Sequence, residues 1–133
     1  MSEPERRNGA SETLQAADLP ALVARASQLC LDRNARAAVV LDLRGLSNAT
    51  DFFLIASGDS DTHVKAISEH VLEQLERAGV RATGVEGLRT GRWVLIDYID
   101  LVVHIFHPAL REFYQLEQLW GDAPMIAIEE PVP

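Results

Sequence analysis

The sequence predicts one α/β domain, a mixed sheet of about five strands with helices packed on it. Three observations carry that expectation. Stretches with apolar residues at steps of three and four alternate with short, nearly continuous apolar runs, as surface helices and buried strands do. The two strongest strand-like runs have only Ile99 and Asp100 between them, the spacing of a hairpin. The 133 residues, 47% of them hydrophobic, suffice for one core and little more.

Residues 1–17 are polar and patternless and are expected to be disordered. The domain is expected to run from Asp18 to Ala123. A first helix is expected to open with Asp18 as its cap and Pro20 in its first turn. Leu19, Leu22, Val23, Ala26, Leu29 and Cys30 follow at helical spacing, and Asn34 is expected to stop it. Ala38–Leu43 and Phe52–Ser57 read as buried strands joined by a loop from Arg44 to Thr50. Ser57–Asp61 opens a second helix whose apolar positions are Val64, Ile67, Val71, Leu72 and Leu75, with Gly79 placed to end it. A short strand near Arg81–Val85 precedes the hairpin of Arg92–Tyr98 and Leu101–Phe106. Pro108 starts a last helix carrying Leu110, Phe113, Leu116, Leu119 and Trp120, which Gly121 stops. The tail, 124–133, holds three prolines and two glutamates and is expected to be loose.

The formal net charge is -8, from 20 Asp+Glu against 12 Lys+Arg. Nucleic-acid binders display basic faces because phosphate neutralisation supplies much of their affinity, so extensive direct contact with nucleic acid is not expected. A basic protein partner suits the charge better. No apolar run approaches the roughly 20 residues that span a bilayer, and no membrane association is expected. The single cysteine, Cys30, cannot form an internal disulfide, which fits a reducing cytoplasm.

Several motifs invite chemistry. Ser57–Asp61 sits between a strand and a helix, where phosphates bind, so a nucleotide-binding or nucleotidyltransferase-like enzyme is the alternative to a binding protein. It lacks the glycine fingerprints of such loops, and Asp59 and Asp61 suit the helix dipole themselves, so it reads better as a cap. Metal-dependent transfer needs converging carboxylates, and Asp97 and Asp100 flank a turn instead. The four histidines include His63 and His70, seven apart on one helix, and His104 and His107 astride a strand end. None has the spacing of a zinc site, and no metal or cofactor is expected. Cys30 reads as a small buried hydrophobe.

The hairpin is more informative. A tight turn at Ile99-Asp100 pairs Tyr98 with Leu101, Asp97 with Val102, Ile96 with Val103 and Leu95 with His104. Val94 then meets Ile105, and Trp93 meets Phe106. One face reads Val94, Ile96, Tyr98, Leu101, Val103 and Ile105, which is core. The other reads Trp93, Leu95, Asp97, Val102, His104 and Phe106. That mixture of large apolar groups with a carboxylate and an imidazole matches the anchors of protein interfaces. It also matches a face covered by a helix, and alternation alone leaves both readings open.

Ordered motifs along the chain resemble the ribosomal silencing factor (Iojap-related) family. They are Leu41-Asp42-Leu43-Arg44-Gly45-Leu46-Ser47, Thr50-Asp51-Phe52-Phe53, Ala56-Ser57-Gly58 and His63-Val64-Lys65-Ala66. Gly84-Val85-Glu86-Gly87, Gly91-Arg92-Trp93-Val94-Leu95-Ile96-Asp97-Tyr98, Val102-Val103-His104, Phe113-Tyr114 and Leu119-Trp120-Gly121-Asp122 continue the series. The resemblance implies a nucleotidyltransferase-like fold without the catalytic motif. It implies binding to the large ribosomal subunit through its fourteenth ribosomal protein, steric exclusion of the small subunit, and repression of translation when nutrients are scarce. It also implies self-association as a homodimer. The partner surface it carries over comprises Trp93, Leu95, Asp97, Tyr98, His104 and Glu86. One departure stands out: family members commonly have glycine where this chain has Ile99. A tight hairpin turn needs positive φ, which a β-branched residue resists.

Overall fold

The computed structural model describes residues 18–114 and 121–128. The elements are α1 (Ala21–Asp32), β1 (Arg36–Asp42), β2 (Phe52–Ser57), α2 (Asp61–Arg77), β3 (Gly84–Glu86), β4 (Trp93–Asp97), β5 (Leu101–Phe106), α3 (Pro108–Tyr114) and β6 (Met125–Ala127). The strands form one sheet in the order β3-β4-β5-β2-β1-β6. At its centre β2 and β5 run parallel, from Phe52↔Leu101 to Ser57↔Phe106. Parallel neighbours need a long crossover, and α2, β3 and β4 supply it. Every other pairing is antiparallel.

The apolar run of β2 follows from its central place, where every residue is buried but the half-buried Phe53. Leu54, Ala56, Val103 and Ile105 pack with Val23, Leu29, Val64, Ile67 and Val71 from α1 and α2 in the main core. Leu41, Leu43, Ile55, Phe106 and Ala123 form a second, smaller cluster, with Leu110 of α3 against it. Thus α1 and α2 cover one face and α3 begins the cover of the other. α2 opens where Ser60 accepts a hydrogen bond from the His63 backbone N–H at 3.1 Å. It ends before Gly79, whose φ is +88°.

Three expectations need correction. The sheet has six strands, because the tail expected to be loose contributes β6. Val39, Val40 and Leu41 pair with Ala127, Ile126 and Met125. The Asp42 N–H bonds to the Pro124 carbonyl at 2.9 Å, and the Ile128 N–H to the Ala38 carbonyl at 2.7 Å, which extends the ladder. Three residues are too few to show a period, and it is the open edge of β1 that recruits them. α1 starts after Pro20, which makes no side-chain cap, so Asp18 is not the capping residue. The short strand is Gly84–Glu86 rather than Arg81–Val85, because pairing with β4 sets its position. The expectations for residues 1–17, for Leu116, Leu119 and Trp120, and for the Phe113 side chain lie outside the described residues.

The hairpin register agrees with the expected one from Trp93↔Phe106 to Asp97↔Val102. Its turn is unusual. The Asp100 N–H bonds to the Tyr98 carbonyl at 2.9 Å, which closes a γ-turn centred on Ile99. Ile99 has φ +74° and is 61% exposed. Ala37 also has positive φ, +51°, but there the conformation accommodates the extra residue of a bulge between Arg36 and Val39. Left-handed φ costs a β-branched residue roughly 1–2 kcal/mol, against roughly 0.5–1 kcal/mol for the added chain entropy of glycine. Ile99→Gly is therefore expected to raise stability by up to about 1 kcal/mol, read as a higher urea midpoint at unchanged m-value. A lower midpoint would show that the turn is not strained.

Candidate partner-binding face

Pairing across the sheet assembles a row on the face away from α1 and α2: Glu86, Leu95, His104, Ile55 and Val39. A second row holds Asp97, Val102, Phe53, Leu41 and Met125. Trp93 and Phe106 stand at one end, and the two rows place Leu95, Asp97 and Val102 side by side. Trp93, Leu95, Asp97, Val102 and Phe53 are half-buried, Glu86 is exposed, and His104 and Phe106 lie beneath the surface. Of the residues expected here, Trp93, Leu95, Asp97, His104 and Glu86 do share this face.

Tyr98 does not. Strand alternation turns it to the α1 and α2 side, where it is 6% exposed and part of the main core. Its buried hydroxyl has no hydrogen-bond partner among the described residues, and burial pushes its pKa up to about 12. Its inclusion among the partner-facing residues is corrected accordingly.

Aromatic packing holds the face in shape. The Trp93 ring stacks on Phe106 with centroids 5.0 Å apart, and Phe53 meets His104 edge-on at 4.6 Å. The indole N–H of Trp93 donates to His104 Nδ1 at 3.1 Å. That bond requires Nδ1 to be unprotonated, so the neutral ring carries its proton on Nε2, which is buried and has no partner among the described residues. Burial lowers the His104 pKa from 6.5 to about 4. Asp97 is partly committed, since its Oδ1 accepts the Ile99 backbone N–H at 2.8 Å. Sequence reasoning missed Phe53 and Ile55, because the parallel register of β2 on β5 leaves no trace in either strand alone.

The Ser57–Asp61 loop is occupied by its own chain. Beyond the Ser60 cap, Asp59 pairs with Arg36 at 2.8 Å, and its N–H donates to His63 Nδ1 at 2.8 Å. The other nitrogen, His63 Nε2, lies 2.7 Å from the Arg33 carbonyl and ties α2 to the end of α1. A Cβ on Gly58 would come within 2.9 Å of the Val64 backbone nitrogen, so the loop is folded down on the helix. Cys30 is wholly buried, and burial raises its thiol pKa to about 12. Among the described residues, no three His, Cys, Asp or Glu side chains come together as metal ligands. No helix among them is long and apolar enough to cross a membrane.

The fold and this face define an α/β protein that carries a pre-shaped aromatic and aliphatic sheet surface edged by carboxylates. Residues 16–133 match the family model described as "Ribosomal silencing factor during starvation", and the chain belongs to that family. It is 41% identical over 104 residues to the ribosomal silencing factor of Bacillus subtilis, covering 78% of this chain and 88% of that one. A solved structure of a Bacillus halodurans protein superposes with TM-score 0.72 at 37% identity, over 80% of this chain and 97% of that one. A Chromobacterium violaceum crystal structure does so with TM-score 0.74 at 32% identity, over 90% and 91%.

The buried imidazole has a consequence for acid stability. An unfolded chain takes up a proton at His104 near pH 6.5, whereas the folded protein refuses it until about pH 4. Stability from this group is therefore complete above pH 6.5 and lost progressively as pH falls to about 4, by something on the order of 3 kcal/mol. His104→Gln keeps an acceptor for Trp93 and cannot titrate. Its urea midpoint should vary less across that pH interval than the natural protein's, and equal slopes would refute the assignment.

Proposed function

We propose that the chain binds the large ribosomal subunit through its fourteenth ribosomal protein, using the β3–β4–β5 face, and sterically blocks joining of the small subunit. It thereby represses translation under nutrient limitation, as a cytoplasmic binding protein and not as an enzyme. The observation that carries this reading is the half-buried set Trp93, Leu95 and Val102 beside Asp97 and Glu86, backed by rigid aromatic packing. Apolar anchors on a pre-formed surface supply affinity without an ordering cost, and flanking carboxylates suit a basic partner. The net charge of -8 favours the same class of partner. The family's description, silencing during starvation, supports the ribosome as the target.

Action by occupancy predicts stoichiometry. Added to separated subunits, the protein should lower the fraction forming complete ribosomes in proportion to its binding. An unchanged complete-ribosome peak at saturating protein would refute blocking, and full loss of joining at sub-stoichiometric protein would indicate catalysis.

Trp93 is expected to be the principal anchor. Truncating a buried interfacial tryptophan costs about 2–4 kcal/mol, roughly a thirty- to thousandfold loss of affinity. Trp93 also stacks on Phe106 and bonds to His104, so Trp93→Ala is assayed for large-subunit binding and for thermal unfolding together. Weak binding by a protein that is still folded at the assay temperature is the expected result. Full binding would return Trp93 to a purely structural role.

A further inference from the structure

The γ-turn at Ile99 presents a problem that the isolated fold does not solve. Its closing bonds are all made by backbone or by a neighbour's carboxylate. The Ile99 N–H donates to Asp97 Oδ1 at 2.8 Å, the Asp100 N–H to the Tyr98 carbonyl at 2.9 Å, and the Tyr98 N–H to the Leu101 carbonyl at 2.8 Å. A glycine at position 99 would make the same bonds without strain. The isoleucine is 61% exposed and belongs to neither core cluster. Ala37 differs, because its positive φ serves the bulge between Arg36 and Val39. At Ile99 a backbone cost and an exposed apolar side chain coincide with no return among the described residues, and such outliers point outward to function.

The turn is also firmly held. The Asp100 carbonyl accepts the N–H groups of Asp51 and Phe52 at 3.2 and 3.0 Å, which ties the hairpin end to the start of β2. Ile99 thus projects from a fixed backbone, two residues beyond Asp97 on the strand that carries Trp93 and Leu95. Exposed Asp51 and Asp100 flank it. We propose that Ile99 extends the β3–β4–β5 docking face around the end of the hairpin, inserting into an apolar depression bordered by basic groups on the ribosomal protein. This rests on the docking reading given above. Ile99 adds a specificity contact, and its strain is the cost of holding an apolar side chain ready for the partner.

The test measures equilibrium binding of the full chain to purified large ribosomal subunits, with thermal unfolding alongside. Ile99→Gly removes the side chain and the strain. Ile99→Asn tolerates the left-handed region while replacing the apolar group by a polar one. Both variants are expected to melt at or above the temperature of the natural protein and to bind roughly five- to thirtyfold more weakly. Leu95→Asp, in the middle of the face, serves as the control and should bind more weakly still. If both Ile99 variants bind as tightly as the natural protein while Leu95→Asp does not, Ile99 lies outside the interface and the docking reading stands. Should Leu95→Asp also bind normally, the docking reading itself fails. Weaker binding accompanied by a lower melting temperature in both Ile99 variants would overturn the proposal, because isoleucine would then be serving the fold.

Discussion

The parallel pairing of β2 with β5 is the constraint on which the remaining structure depends. These strands are distant in sequence, and aligning them from Phe52↔Leu101 to Ser57↔Phe106 determines what lies on each side. The crossover places α2 on one face, with α1 beside it, and buries the alternate residues of both strands there. The same register puts Ile55 beside His104 and Phe53 beside Val102 on the other face. Because side chains alternate with period two, a one-residue slip would exchange the faces and put Phe53 into the main core. Close packing on both sides of the central pair makes such a slip costly.

On the second face, one hydrogen bond organises the surface. The indole of Trp93 is steered by His104 Nδ1 on one side and by the Phe106 ring below. A tryptophan held this way has little rotamer freedom left to lose on binding, which is how a rigid surface gains affinity. The cost is a buried imidazole whose Nε2 has no partner among the described residues, a group kept neutral by its own burial. Stability under mild acid is thus given up for a fixed aromatic surface. A similar exchange recurs at the hairpin end, where Asp97 divides its carboxylate between securing a strained turn and facing outward.

Much of this was legible in the residues. Alternation alone separated Trp93, Leu95 and Asp97 from Val94 and Ile96, and the two-residue spacing between the strands set the hairpin register. Helical spacing located the buried residues of α2, and the Ser60 and Gly79 ends follow from capping chemistry that acts over a few residues. The motifs that resemble the silencing factor family were also visible, and the family comparison agrees with them. These features depend on neighbours within a few positions, so the order of residues suffices to specify them.

The tertiary structure decided the rest. The β6 strand exists because β1 offers an open edge, and nothing in Met125–Ala127 alone signals a strand. Phe53 and Ile55 join the candidate face through a parallel register set by packing on both sides of the sheet. The tautomer and lowered pKa of His104 arise from partners on neighbouring strands and from burial between them. The positive φ of Ile99 is imposed by closure of the hairpin against the residue's own preference. Local propensity acts along the chain, whereas register, edge pairing and desolvation act through space, and only the folded chain brings those partners together.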